Sequence, residues 1–163
     1  MHIKLINKKL HFKNYRLKCS IGKRGISILK KEGDLITPAG MFKFKSVFYR
    51  KDRVPNIKTK IKKIIIKKNM GWCDDSNSKF YNKLIYFPFT FSAESLYLKK
   101  NIYDIILVLN YNFSPVIKKK GSAIFLHIAN RNYRPTKGCL AISKRDMKIL
   151  LNTIDNKTTL GII

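Results

Sequence analysis

Acidic residues are scarce in this 163-residue chain: nine Asp and Glu stand against 35 Lys and Arg, for a formal charge of +26. Cysteine is also sparse. The three present, Cys19, Cys73 and Cys139, are odd in number and widely spaced, which argues against a disulfide framework in a chain long enough to bury a core without staples. No apolar run approaches the roughly 18 residues that would span a bilayer, because lysines interrupt each one. The N-terminal stretch carries Lys4, Lys8, Lys9, Lys13, Arg16 and Lys18, leaving no segment apolar enough for the core of a secretory signal. There is no internal repeat and no linker-like Gly/Ser tract. These absences predict one domain over residues 1–163, no membrane span, and a cytoplasmic location, with the periplasm as the alternative.

The basic excess is mostly Lys and accompanies abundant Ile and Asn, a coding bias expected of an AT-rich genome, so part of the charge is compositional. Such a surface attracts anionic ligands and binds nucleic acid in a salt-dependent way whatever its function. No recognition-helix pattern, zinc-finger spacing or aromatic RNA-binding signature accompanies the charge, and no specific nucleic-acid partner is expected.

Patterning predicts a mainly β, mixed β-rich fold with one clear helix near the C-terminus. Tyr15, Leu17, Cys19 and Ile21 alternate with polar residues, as do Phe42 and Phe44 with Lys43 and Lys45, and both runs read as half-buried strands. The continuous apolar runs Ile105–Leu109 and Ala123–Ile128 read as central strands that back any site. A helix is expected after Ser143, whose hydroxyl can cap it, with Met147, Leu150, Leu151 and Ile154 on one face. The Asp155-Asn156-Lys157 turn ends it, and Thr159–Ile163 is a last strand. Residues 50–101 look irregular, which predicts an elaboration walling a cleft; for residues 57–68 a Lys-rich surface excursion is an equal reading.

The chemistry concentrates at Cys139. It follows Gly138 at the mouth of an expected strand, behind a loop stiffened by Pro135, and glycine lets backbone approach a ligand. His127 ends the Ala123–Leu126 run, twelve residues upstream, close enough for one loop to join neighbouring strand ends. An imidazole beside a thiol holds thiolate near neutral pH, and Lys23, Arg24, Lys31 and Lys137 add cationic surroundings. Backbone N–H groups of Gly138 and Cys139 can hold an oxyanion. Cys139 as inert packing is the competing reading. Cys19 reads as packing. A metal site from Cys73, Asp74, Asp75 and a histidine lacks paired-ligand spacing, so no metal or cofactor is expected.

The run GSAIFLHIANRNYRPTKGCLAIS, residues 121–143, resembles the signature of the YkuD-type L,D-transpeptidase catalytic domain, which joins a strand-end histidine to a Ser/Thr-x-Gly-Cys motif. KKEGDLITPAGMFKF (30–44) resembles that family's Gly-Asp and Thr-Pro-x-Gly-x-Phe segment, and GWCDDSNSKFYN (71–82) resembles a Trp-Cys-Asp-Asp element of one subgroup. The resemblance implies a cysteine thioester intermediate and, as partner, a peptidoglycan stem peptide or muropeptide cut at an L,D bond. It makes Cys139 the nucleophile, His127 its base, oriented by a backbone carbonyl such as that of Ile128, and Gly138 an oxyanion donor. Two positions depart from it: Lys137 stands where many members have a second histidine, and Ala141 where many have Arg or Asn. Substrate-side candidates are Arg131, Arg134, Thr136 and Lys137, with Trp72, Asp75, Tyr81 and Asn82 either walling the cleft or forming a Trp-anchored loop with Asp caps. The expected outcome is hydrolysis of the thioester (L,D-carboxypeptidase). Cross-linking in the envelope, a non-catalytic basic module binding nucleic acid or another anionic polymer, and a scaffold with a structural Cys139 are the alternatives.

Overall fold

The computed structural model describes residues 1–163. The N-terminal part forms β1 (His2–Ile6), β2 (Lys9–Phe12), β3 (Tyr15–Lys18), β4 (Ile26–Ser27) and β5 (Thr37–Pro38), followed by the long β6 (Gly40–Tyr49). The middle holds β7 (Lys63–Ile65), β8 (Met70–Cys73), β9 (Leu84–Tyr86) and β10 (Ala93–Ser95), then a 3-10 turn at Asn101–Tyr103 and β11 (Ile105–Leu109). The C-terminal part is β12 (Phe125–Ile128), β13 (Leu140–Ile142), α1 (Lys144–Thr153) and β14 (Thr159–Ile162). The fold is mainly β with one α-helix near the C-terminus, as patterning predicts.

One mixed sheet runs β13-β12-β11-β6-β14-β1-β2-β3, with β7 also on β6. Its strands present alternate residues to two cores, because side chains i and i+2 share a face. On β11, Ile105, Leu107 and Leu109 enter the larger core, and Ile106 and Val108 the smaller. The larger core also takes Leu126, Ile128, Leu140, Ile142, the face of α1 made by Met147, Leu150 and Leu151, and Ile154 at its C-cap. Ser143 caps this helix by accepting from the Asp146 N–H at 3.0 Å. The smaller core lies on the opposite face, between the main sheet and a three-stranded sheet of order β10-β8-β9, and is built from Phe48, Trp72, Tyr103 and Phe125 among others.

The expectation that residues 50–101 are irregular is corrected. Strands β7–β10 fall inside that span, and Ile57, Ile61 and Ile66 are buried. Sequence patterning misses them because the strands are three or four residues long, too short for alternation to show. Ile57 and Ile61 join the larger core and Ile66 the smaller, while Lys58, Lys60, Lys62, Lys63, Lys67 and Lys68 are exposed, so residues 57–68 are a Lys-rich surface segment anchored by three buried isoleucines.

Candidate active site

His127 and Cys139 lie on the small-core face of the main sheet. Strands β12 and β13 are parallel with His127 opposite Ala141 and Leu126 opposite Leu140, a register that sets Cys139 beside Phe125. Phe125, His127 and Cys139 therefore project to one side, away from α1. Cys139 Sγ accepts from the Phe125 N–H at 3.4 Å and lies 4.0 Å from the Ala123 carbonyl. The His127 ring contacts its own strand instead: Nδ1 is 3.0 Å from the Ile128 carbonyl oxygen. A carbonyl only accepts, so Nδ1 carries the proton and Nε2 keeps its lone pair. No hydrogen bond joins Sγ to the imidazole, a looser arrangement than a closed thiol–imidazole pair.

The loop before Cys139 is clamped from three directions. Ser20 and Ala141 exchange both backbone hydrogen bonds, at 2.8 and 3.0 Å, while Thr136 donates to the Ile21 carbonyl and accepts from Lys23. Thr37, fully buried, accepts from the Gly22 N–H and donates to the Gly138 carbonyl, both at 2.8 Å. Gly138 has φ +135, and a Cβ there would sit 2.8 Å from the Ile36 carbonyl oxygen, so no other residue fits without moving backbone. Beneath the loop runs the enclosed Lys30–Asp34 ion pair at 2.6 Å. Asp34 also accepts from the Lys31 and Ile36 N–H groups, fixing the Gly-Asp segment.

Burial dominates the electrostatics. It pushes the Cys139 thiol up to about 12; the Phe125 N–H and Lys30 work against this, and Glu94 and Glu32 add to it. Burial also lowers His127 to about 4, partly opposed by the Ile128 carbonyl. The resting pair is thus a neutral thiol and a neutral imidazole. This corrects the expectation of a thiolate held near neutral pH, because desolvation outweighs the surrounding cations. Cys139 nonetheless keeps partial solvent exposure, which an inert core thiol lacks. Cys19 behaves as packing: it is 2% exposed and its Sγ donates to the Ser20 carbonyl.

The other sequence-singled residues divide clearly. Trp72 and Asn82 are buried and bonded to each other, Nε1 to Oδ1 at 3.0 Å, and the Asn82 amide also donates to the Tyr111 and Asn112 carbonyls. With its hydrogen-bonding capacity used internally, Asn82 is a strut, and the cleft-wall expectation for the pair is corrected. Tyr81 is likewise a strut, donating to Glu32 and accepting from the Gly121 N–H at 3.0 Å. Asp75 caps a turn by accepting from the Asn77 N–H. The Trp-anchored loop with Asp caps is the arrangement observed. No cluster of three ligating side chains forms around Cys73, Asp74 and Asp75, since the Cys73 thiol faces the Asp75 carbonyl instead.

Thr136 and Gly138 are turned into the loop itself. The Gly138 N–H donates to Thr136 Oγ1 at 3.1 Å, and that hydroxyl donates to the Cys139 carbonyl. Gly138 is therefore not a free oxyanion donor, and that expectation is corrected; the Cys139 N–H has no partner in the protein and is the backbone donor left at the thiol. Lys137 and Arg134 are exposed. Arg131 lines a cavity of about 600 Å³ together with Ile128, Lys100, Ile102 and Lys144; neither His127 nor Cys139 is among its lining residues.

Sequence reasoning missed Glu94, Tyr103, Lys30 and Thr37. Tyr103 packs edge-on against His127 at 5.4 Å and donates to Glu94 at 2.8 Å. The available signals were the rarity of acidic residues, which makes each carboxylate informative, and the Gly-Asp and Thr-Pro segment that carries Asp34 and Thr37. No curated protein and no solved structure gives a significant match to the chain. The family model of the L,D-transpeptidase catalytic domain, YkuD, matches residues 5–163, and the chain belongs to that family.

Proposed function

We propose that this chain cleaves the L,D bond before the terminal D-alanine of a peptidoglycan stem peptide through a Cys139 thioester, with water as the principal acceptor. The observation that carries the chemistry is the partly exposed Cys139 thiol on the same sheet face as His127, whose Nδ1–H bond to Ile128 leaves Nε2 as a base. With both groups neutral at rest, the thiol proton passes to Nε2 as Sγ attacks the carbonyl of the diamino residue, and the Cys139 N–H faces the developing oxyanion. Collapse breaks the amide C–N bond, and the D-alanine amine leaves with the proton from the imidazolium. Water then adds to the thioester with His127 as base, releasing the tripeptide and restoring the thiol.

Arg131 is the carboxylate-recognising group in this reading, because it follows the His127 strand by three residues and lines a cavity with Ile128 of that strand. The preference for water rests on the acceptor side: Ala141 is buried and apolar, and Lys137 stands in the place of a second imidazole. Membership of the L,D-transpeptidase family favours a second reading, in which a stem-peptide amine rather than water resolves the thioester as a cross-link. Mass spectrometry after incubation with a disaccharide tetrapeptide, alone and with excess D-methionine, separates the two. Tripeptide plus free D-alanine is expected; dimeric product, or exchange with little tripeptide, would replace hydrolysis by transpeptidation.

A further inference from the structure

The imidazole of His127 is held by one hydrogen bond, from Nδ1 to a carbonyl, and by the ring of Tyr103, which meets it edge-on at 5.4 Å and 76°. One hydrogen bond leaves an imidazole free to rock about its side-chain torsion, so the aromatic contact decides where Nε2 points. Tyr103 ends the 3-10 turn before β11 and packs on Phe125 as well, at 6.2 Å. Its hydroxyl donates to Glu94 Oε1 at 2.8 Å. Glu94 belongs to β10 and pairs with Trp72 of β8 in the small sheet, and the Trp72 ring is seated 5.4 Å from Phe125. The small sheet thus bears on the β12 side chains at two points, an aromatic one through Trp72 and a polar one through Glu94.

Resting on the reading of His127 as the base, we propose that Glu94 is a positioning residue that acts through the Tyr103 hydroxyl to set the orientation of the His127 ring. A hydrogen bond to a carboxylate is about twice as strong as a neutral one and fixes the far end of the Tyr103 ring. The near end then presents a fixed edge to the imidazole. The Glu94 carboxylate is free to serve Tyr103, since it takes part in none of the four ion pairs, which use Asp34, Asp52 and Asp104. Protein crowding around its carboxyl, with Asp74 nearby, raises its pKa, while the Tyr103 hydrogen bond and Lys137 favour the charged form. Tyrosine is required at 103 because phenylalanine keeps the ring but loses the anchor.

The test is a double-mutant cycle on tetrapeptide cleavage, read together with the imidazole nitrogen NMR signals of His127, assigned against a His127→Asn variant. Tyr103→Phe and Glu94→Ala should each lower kcat roughly tenfold with KM changed less than about twofold, since a small misplacement of a catalytic group acts on the chemical step. The double variant should lose no more than either single one, because both break one link. Glu94→Gln, which still accepts from the Tyr103 hydroxyl, should recover most of the loss. The His127 ring signals should shift in Tyr103→Phe and Glu94→Ala and stay near the wild-type values in Glu94→Gln. Multiplicative losses, an effect confined to KM, or unmoved His127 signals would overturn the proposal. Should wild-type protein release no tripeptide, the functional reading fails while the NMR comparison still decides the positioning. Glu94 lies on the edge strand β10 and belongs to neither core, so its variants carry the test even if Tyr103→Phe misfolds.

Discussion

A thiol at about 12 beside an imidazole at about 4 is a pair that carries no charge at rest, and burial is the first cause of both shifts. The sign matters for reactivity, because the thiolate fraction of a group with a raised pKa keeps growing with pH well past the point where a free thiol has saturated. Iodoacetamide modification of Cys139, followed by peptide mass spectrometry, should therefore be slow at neutral pH and still rise roughly tenfold per pH unit beyond pH 9. A plateau near neutral pH would show a resting thiolate and contradict this picture. Cys139→Ala and Cys139→Ser should abolish turnover with the fold intact, as the change removes a thiol and little volume. His127→Ala should cost nearly as much, because the two groups act as a unit, and steady-state assays with circular dichroism of each variant check both statements.

Strand and loop elements hold this pair in place, and the loop before β13 is the most constrained of them. Thr37 spans it by serving Gly22 and Gly138 at once, so Thr37→Val leaves a buried donor and a buried acceptor unpaired. A loss of about 2 kcal/mol or more is expected in denaturant unfolding, with kcat falling as well. Gly138→Ala acts on the same loop by another route: the methyl would meet the Ile36 carbonyl at 2.8 Å in a backbone conformation L residues avoid. Activity should collapse further than stability, since the displaced segment carries Cys139, the nucleophile of the proposed reaction. Unfolding curves measured beside kcat would expose the opposite order, in which the loop would be a stability element first.

Across the whole molecule, with a net charge of +26, only Lys30, Arg50, Arg53 and Lys144 form ion pairs, two of the four pairs sharing Asp104. Repulsion among unpaired lysines should make the fold more stable as salt is added, because screening acts on exposed like charges more than on the enclosed Lys30–Asp34 pair. Tm should rise with NaCl in differential scanning calorimetry, and a falling Tm would mean that attractive pairs dominate. DNA association should be sequence-blind and vanish at moderate salt in gel shifts. Retention of one sequence at high salt would revive a specific nucleic-acid role.

Periodicity and residue type alone marked the helix after Ser143 and the central strands β11 and β12, and singled out His127 and Cys139, which the fold sets on one face of neighbouring strands. These are local signals: capping oxygens, unbroken apolar runs and a glycine before a thiol carry their meaning within a few residues. Tertiary structure decided what each group does there. Trp72 and Asn82 face each other rather than a cleft, Gly138 spends its N–H on Thr136, and Glu94 reaches Tyr103 from a separate sheet. Protonation belongs to the same class, because the desolvation that shifts Cys139 and His127 comes from elements packed over them from distant parts of the chain. Burial and partner choice are sums over neighbours in space, which the order of residues along the chain does not contain.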